Sequence, residues 1–323
     1  MKSLNDLREF YLKTLRPDLK VLDDRRKKIV RKLFLIGVPT LIVVGLCLLV
    51  IFANELEIKV VFIPLFLGIA VMAVAYRLLT KKFIADFKSS IIQRIVRFVD
   101  ENLRYLSSAC VSESDFKASR IFRHRIDRYR GDDLVQGRIG KTDVKFSEVH
   151  AEYKTETRDS KGNRRTQWHT IFKGLFYIAD FNKHIRGETV VLPDTAERLF
   201  GRLGRKLQSL NKPRGQLISL EDPEFEKAFA VYGDDQIQSR YILSTSLMKR
   251  IMEFKKKTRR DVFLSFLGSS VYIAVSFQKD LFEPRIFKTL LDFEVVQEYF
   301  EDLTLAYGIV EDLNLNTRIW SKQ

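Results

Sequence analysis

Residues 33–53, LFLIGVPTLIVVGLCLLVIFA, and residues 60–79, VVFIPLFLGIAVMAVAYRLL, are joined by the short polar link Asn54-Glu55-Leu56-Glu57-Ile58-Lys59. The first run carries no charged side chain, and about 20 such residues in a helix span the roughly 30 Å hydrocarbon core of a bilayer. The second is uncharged as far as Arg77, which lies near enough to the end for its guanidinium to snorkel into the headgroups. The sequence therefore predicts a transmembrane hairpin over 33–79, its helices antiparallel because the link is so short. Pro39 and Pro64 are compatible with it, since neighbouring groups satisfy the carbonyls that a proline frees inside a membrane helix. A buried hairpin in a soluble core is the competing reading, and two uncharged runs of spanning length back to back count against it.

Orientation follows from the flanks, because Lys and Arg near the ends of membrane helices are held on the cytoplasmic side. Lys20, Arg25, Arg26, Lys27, Lys28, Arg31 and Lys32 precede the first run, and Lys81, Lys82, Lys88 and Arg94 follow the second. The link offers only Lys59, beside Glu55 and Glu57. The expectation is a multi-pass protein of the inner, cytoplasmic membrane with both termini in the cytoplasm. Neither run has an ionisable group at mid-membrane depth, so the hairpin reads as an anchor and not as a carrier or channel. No cleavable signal precedes it, because the first 32 residues are polar and the following run is too long for a signal core.

Outside the hairpin lie well over 200 residues, enough for one sizeable domain or two small ones. The two cysteines, Cys47 and Cys110, form no CxxC and no metal-ligand spacing, so no disulfide, metal site or cofactor is expected. A net charge of +15 suits a protein lying on an anionic leaflet, although nucleic acid attracts the same charge.

Taken in order, residues 1–32 read as a cytoplasmic helical segment, with Leu4, Leu7, Phe10 or Tyr11, and Leu15 at helical spacing, and Pro17 breaking one helix and opening the next. Residues 80–112 hold a long amphipathic stalk helix and a linker: Ile84, Phe87, Ile91, Ile95 and Phe98, with Leu103 and Leu106 further on, step by three or four. This stripe packs either on the pre-membrane helix or on the domain that follows; either solution buries it. Residues 113–323 read as a cytoplasmic α+β domain of mainly antiparallel strands with covering helices. Its strands are predicted at Leu134–Ile139, Thr142–Thr155, Thr166–Asp180, Thr189–Leu192, Gln216–Leu220 and Ala228–Tyr232, and its helices at Thr195–Leu207, Thr245–Lys255 and Phe293–Val310. A polar, mobile loop is expected over Arg158–Arg165, and a hairpin over Val262–Phe277 around Gly268-Ser269-Ser270.

Two cationic clusters stand out. Over Phe116–Arg130, Ile121, Phe122, Ile126 and Tyr129 fall on one helical face while Arg120, Arg123, Arg125 and Arg128 crowd the rest, the pattern of a basic amphipathic helix. Its cations are either a solvated back or a lipid-headgroup contact. Lys255, Lys256, Lys257, Arg259 and Arg260 end the helix from Thr245, where they complement the helix dipole. These nine residues are the candidate contacts for anionic phospholipid or a protein partner. Nucleic acid is disfavoured, because Phe122, Tyr129, Phe254 and Phe263 read as core positions and not as stacking platforms.

Leu15–Arg25, the acidic link, Gly131-Asp132-Asp133-Leu134-Val135-Gln136-Gly137, Phe146-Ser147-Glu148, Phe172-Lys173-Gly174-Leu175-Phe176, and above all Phe225-Glu226-Lys227-Ala228-Phe229-Ala230-Val231-Tyr232 followed by Arg240-Tyr241-Ile242-Leu243 carry a resemblance. In these pieces and their order, the chain resembles a bacterial two-transmembrane-helix membrane family, domain-of-unknown-function family 3137. The resemblance implies the architecture and brings no catalytic residues. No HExxH, Walker loop, GxSxG or dinucleotide fingerprint occurs. Of the four histidines, His150 and His169 are placed to pair across the first hairpin, and the two Gly-Asp-Asp runs at 131–133 and 233–235 are explained by turns before cation binding. The leading function is a non-enzymatic, membrane-anchored interaction or scaffolding module; the alternative is an enzyme with an unrecognised site. By analogy the strands also suit a partly closed barrel of the pleckstrin-homology kind, capped by the C-terminal helix.

Overall fold

Ser3 starts the first helix with a capping box: its hydroxyl accepts the Asp6 N–H at 3.2 Å, and the Asp6 carboxylate accepts the Ser3 N–H at 2.8 Å. This is α1 (Leu4–Phe10), and the chain continues through a π turn, Tyr11–Leu15, into the long helix α2 (Arg16–Ala53). The expected break at Pro17 is not there. Proline lacks the N–H that an α turn needs, and the wider turn, closed by Arg16 N–H to the Tyr11 carbonyl, carries the helix past it. The computed structural model describes residues 2–55, 57–158, 164–194, 215–277 and 279–315. The chain divides into two units, one of Met1–Ile95 with Phe282–Phe300, the other of Val96–Leu281 with Glu301–Gln323.

In the first unit α2 is followed by α3 (Ile58–Phe87), a second π turn (Lys88–Ile92) and α4 (Gln93–Val99), which ends in the second unit. Both α2 and α3 contain a stretch long and apolar enough to cross a membrane. They approach closely where side chains are small: a Cβ at Gly68 would stand 2.9 Å from Val44 Cγ2 and 3.6 Å from Thr40 Cγ2, and one at Gly37 3.5 Å from Met72 Cε. The same antiparallel register continues below, through the ion pair of Arg25 with Asp86 at 3.3 Å and that of Asp18 with Arg94. The post-membrane stripe is buried here. Phe83, Phe87, Ile91 and Ile95 share the interior with Leu7, Leu15, Leu19 and Leu22, and the segment Phe282–Phe300 joins them, with Phe87 against Tyr299 at 5.8 Å and Tyr11 against Phe293 at 5.4 Å. Sequence reading placed that segment in the following domain. Leu103 and Leu106, expected on the stalk helix, lie instead on a strand.

The second unit is built on a seven-stranded antiparallel sheet ordered β1-β2-β3-β4-β6-β5, with β7 also pairing β4. Its strands are β1 (Leu103–Leu106), β2 (Arg128–Ile139), β3 (Thr142–Arg158), β4 (Arg164–Pro193), β5 (Gln216–Leu217), β6 (Phe229–Gly233) and β7 (Val262–Ser276). β4 runs continuously through the two strands expected at 166–180 and 189–192. It takes β3 and then β6 along one edge and β7 along the other, as Val191 shows by pairing with both Val231 and Leu264. The hairpin expected at Val262–Phe277 is therefore one strand, whose bend at Gly268 (φ +62°) follows the bulges of β4 around Ile185. Among the described residues no strand pair closes the sheet into a barrel.

Among the described residues, five helices lie wholly or partly in this unit besides α4: α5 (Glu113–Ala118), α6 (Pro223–Ala228), α7 (Gln236–Ile242), α8 (Thr245–Thr258) and α9 (Phe293–Asp312), whose second half, from Glu301, belongs here. Ser112, Asp222, Asp235 and Ser244 cap the first four with side-chain oxygens. One aromatic core sits at Phe116 of α5, whose ring lies 5.3 Å from Phe122, 6.0 Å from Phe172 and 4.8 Å from Phe176. The helix expected at Thr195–Leu207 and most of the loop expected at Arg158–Arg165 lie outside the described residues.

The stalk register is testable. In a Cys47→Ala/Cys110→Ala background, the pairs Arg25→Cys with Asp86→Cys and Asp18→Cys with Arg94→Cys should each form an intrachain cross-link on mild oxidation, identified in the digested peptides by mass spectrometry. Asp18→Cys with Asp86→Cys, mismatched by about two turns, should not.

Candidate functional site

The expected basic helix over Phe116–Arg130 does not form. α5 stops at Ala118, Arg120 takes a left-handed conformation (φ +55°), and Ile121 and Phe122 drop into the core, so the arginines leave in different directions. Arg120 and Arg123 converge on Glu188, a carboxylate only 6% exposed, the first at 2.9 Å. Arg125 meets Asp127 at 3.1 Å. Arg128 and Arg130 share Glu152, and the Arg128 guanidinium lies 3.7 Å from the centre of the Trp168 ring. Each of these cations is matched by a carboxylate, so the run has structural work to do before any ligand is considered.

The second cluster is arranged differently. α8 ends on Arg259 in the left-handed conformation (φ +53°), whose N–H donates to the Lys255 carbonyl at 2.9 Å, and the chain turns sharply to enter β7 at Val262. The turn leaves a groove of about 560 Å³, floored by Ala228 and Met252 and rimmed by Lys255, Lys256, Arg259 and Arg260, with Asp261 and Ser276 at one side. Two of the four cations are fixed in place. Lys255 Nζ donates to the Ala228 carbonyl at 3.0 Å over the Phe229 ring, and the Arg260 guanidinium lies 4.2 Å from the centre of the Phe277 ring. Lys256 and Arg259 are exposed and have no carboxylate partner among the described residues. Lys257 is separate from the group, paired with Asp312 at 2.7 Å. Four positive charges against the one carboxylate of Asp261 leave the lining of this groove with a net positive charge.

Other sequence candidates resolve into structure. His150 stands opposite Lys173, and His169 opposite Tyr153, so the two histidines do not face each other. His169 instead approaches the Thr155 hydroxyl at 2.8 Å and stacks on Tyr153, which also stacks with His124. The side chain of His184 lies outside the described residues. The first Gly-Asp-Asp lies in a bulge of β2, where Asp133 accepts from the Tyr105 hydroxyl; in the second, Asp234 accepts the Glu188 N–H at 3.0 Å and Asp235 caps α7.

Sequence reading missed Glu148. It lies opposite Asp132 on β2, and its Oε1 accepts the Leu281 N–H at 2.6 Å. Burial pushes its carboxyl up to about 8; the Leu281 hydrogen bond opposes this, and the carboxylates of Asp133, Asp132 and Asp280 add to it. The only sequence signal is a Glu in a strand whose neighbours Phe146 and Val149 are core residues.

Among curated proteins, none matches this chain. Residues 170–315 match the family of unknown function DUF3137. The match takes in β4 through α9, and with them the groove and the Phe225–Tyr232 and Arg240–Leu243 motifs; the apolar helices lie outside it. Among solved structures, the mycobacterial trehalose monomycolate transport factor A, TtfA, is 9% identical, with a TM-score of 0.33 over 68% of this chain and 96% of that one. That likeness is too slight to carry an argument about this chain.

Glu148 gives a signed pH dependence. Because its pKa is raised on folding, the folded state holds a proton that the unfolded state loses, and stability falls as pH rises from the ordinary glutamate range through about 8. Glu148→Gln keeps an acceptor for the Leu281 N–H and removes the titration. The variant should melt several degrees higher than the parent at pH 9, with the gap closing toward pH 5, in thermal melts of the purified full chain.

Proposed function

We propose that the chain is a membrane-anchored, non-enzymatic binding module of the inner membrane. In this reading α2 and α3 cross as a hairpin, both termini are cytoplasmic, and the groove at the end of α8 takes an anionic ligand. Support for the anchor comes from the outer faces of the two helices, where Leu35, Leu41, Phe66 and Leu67 are 65–74% exposed. Such surface is unfavourable in water and natural in hydrocarbon. The orientation is supported by the asymmetry of Lys and Arg between the flanks and the link.

The observation that supports the binding role is that Lys256 and Arg259, which have no carboxylate partner among the described residues, stand beside two fixed cations around a groove. The preferred ligand is an anionic phospholipid headgroup, since each cation close to an anionic bilayer surface contributes about 1 kcal/mol. An acidic segment of a protein partner is the second outcome of the same chemistry.

Topology is checked with a cysteine at Asn54, in a Cys47→Ala/Cys110→Ala background, which an impermeant thiol reagent should label from outside. A reporter active only in the cytoplasm should work when fused after Gln323. The groove is checked with Lys256→Gln/Arg259→Asn; asparagine is chosen because it tolerates the left-handed conformation at 259. Loss of two cations should lower affinity for anionic lipid by about 2 kcal/mol, roughly 30-fold. The readout is native mass spectrometry of the full chain released from nanodiscs of mixed zwitterionic and anionic lipid. Equal retention of anionic lipid by both proteins would sink the lipid assignment, and salt-sensitive loss of an acidic protein partner in the variant would move the groove to that class.

A further inference from the structure

The segment Phe282–Leu290 belongs to the helical unit, and buried charge holds it there. Asp23, 1% exposed, accepts through Oδ1 from Arg26 Nε at 2.7 Å, from the Leu290 N–H at 3.0 Å and from the Thr289 hydroxyl at 3.4 Å, while Oδ2 faces Lys27 Nζ at 3.1 Å. Burial alone would raise the Asp23 carboxyl, but the hydrogen bonds from Arg26, Leu290 and Lys27 outweigh it and hold the group down at about 2. Arg26 also donates to the Ile286 carbonyl at 3.0 Å. At the other end of the segment Lys88, itself buried, binds the Glu283 carboxylate at 2.7 Å, and the Tyr299 hydroxyl donates to the Glu283 carbonyl at 2.8 Å. A loop restrained at Glu283, Ile286, Thr289 and Leu290 has little freedom to rearrange.

Within it Ile286 and Leu290 point inward, 3% and 1% exposed, and Phe287 does the reverse. It is 69% exposed, and among the described residues the ring it meets is that of Tyr76 on α3, stacked at 6.4 Å and 22°. Tyr76 lies three residues before Leu79, the end of the second apolar run, which is about 5 Å along a helix axis. That is the depth at which tyrosine and tryptophan gather in membrane proteins, between acyl chains and headgroups. The exposed side chain of Lys288 follows Phe287, while Arg285, two residues before it, is paired with Glu298; a cation beside an exposed apolar ring suits an anionic interface.

We propose that the loop Phe282–Leu290 is a third membrane contact, in which Phe287 enters the inner acyl–headgroup boundary beside Tyr76. This rests on the anchor reading and goes beyond it. The loop does not span; it lies on the leaflet, so a segment far along the chain from the hairpin touches the same bilayer. Lipid is the partner because the exposed ring continues the apolar surface of α3.

The test uses the full chain in a Cys47→Ala/Cys110→Ala background, reconstituted into vesicles of zwitterionic and anionic phospholipid, with an environment-sensitive fluorophore on Phe287→Cys or on Phe66→Cys. Phe287 lies on the surface, so its replacement leaves the packed positions in place. The 287 probe should be quenched by lipid carrying a spin label high on the acyl chain and protected from aqueous iodide, and the 66 probe should be quenched by a deep spin label. If the 66 probe behaves so while the 287 probe is quenched by iodide alone, the loop proposal fails and the anchor stands. If both are quenched by iodide alone, the anchor fails as well. Phe287→Trp, read by brominated lipid above the native tryptophan background, repeats the depth measurement with a residue of similar size and should give the same result; no added quenching there would overturn the proposal.

Discussion

The close approach of α2 and α3 at Gly68 fixes the register of the helical unit. With Val44 and Thr40 against the glycine, the two helices cannot slide without driving a side chain into backbone, and their alignment below is then set. Arg25 meets Asp86, Asp18 meets Arg94, and the apolar positions of both helices turn inward together. Two π turns, at Tyr11–Leu15 and Lys88–Ile92, adjust the helices without ending them. The second places Lys88 in the interior, where it finds Glu283. Buried charge is expensive unless paired and hydrogen-bonded, so Lys88 and Asp23 each specify one partner segment more sharply than apolar packing does.

The sheet unit treats its positive charge in two ways. Arg120 and Arg123, between α5 and β2, pair with Glu188, and Arg128 and Arg130, at the start of β2, pair with Glu152; both carboxylates are nearly buried and demand partners. The cations at the end of α8 have no such demand on them. Lys257 pairs with Asp312, Lys255 and Arg260 rest on aromatic rings, and Lys256 and Arg259 line the groove with no carboxylate partner among the described residues. With a net charge of +15, the location of unpaired cations says more about ligands than their total does. The matched arginines compensate buried carboxylates inside the fold, whereas Lys256 and Arg259 have no carboxylate partner among the described residues.

Much of the architecture was legible in the chain. The absence of charge over 33–53, and over 60–79 as far as Arg77, by itself set two helices long and apolar enough to cross a membrane, because helix length and hydropathy are local properties. Strand periodicity located the second half of β2, β3 and the ends of β4, and the helical patterns at Thr245–Lys255 and Phe293–Val310 located α8 and α9. The cationic end of α8 was likewise visible as a run of five basic residues within six positions.

Tertiary structure decided the rest, wherever the outcome depended on residues far apart in the chain. Helical spacing at Phe116–Arg130 was overridden because Ile121 and Phe122 gain more from the sheet core than from a helix face, and the arginines then found carboxylates tens of residues away. Gly268 reads locally as a turn, yet continuous pairing with β4 makes it a bend. The Glu148 carboxyl is raised because the fold buries it and brings the Asp133, Asp132 and Asp280 carboxylates near it, against the opposing hydrogen bond from Leu281. Phe282–Phe300, which reads as part of the sheet domain, was drawn to the helices by Asp23 and Lys88, since a buried charge far away in sequence outweighs the preference of neighbours along the chain.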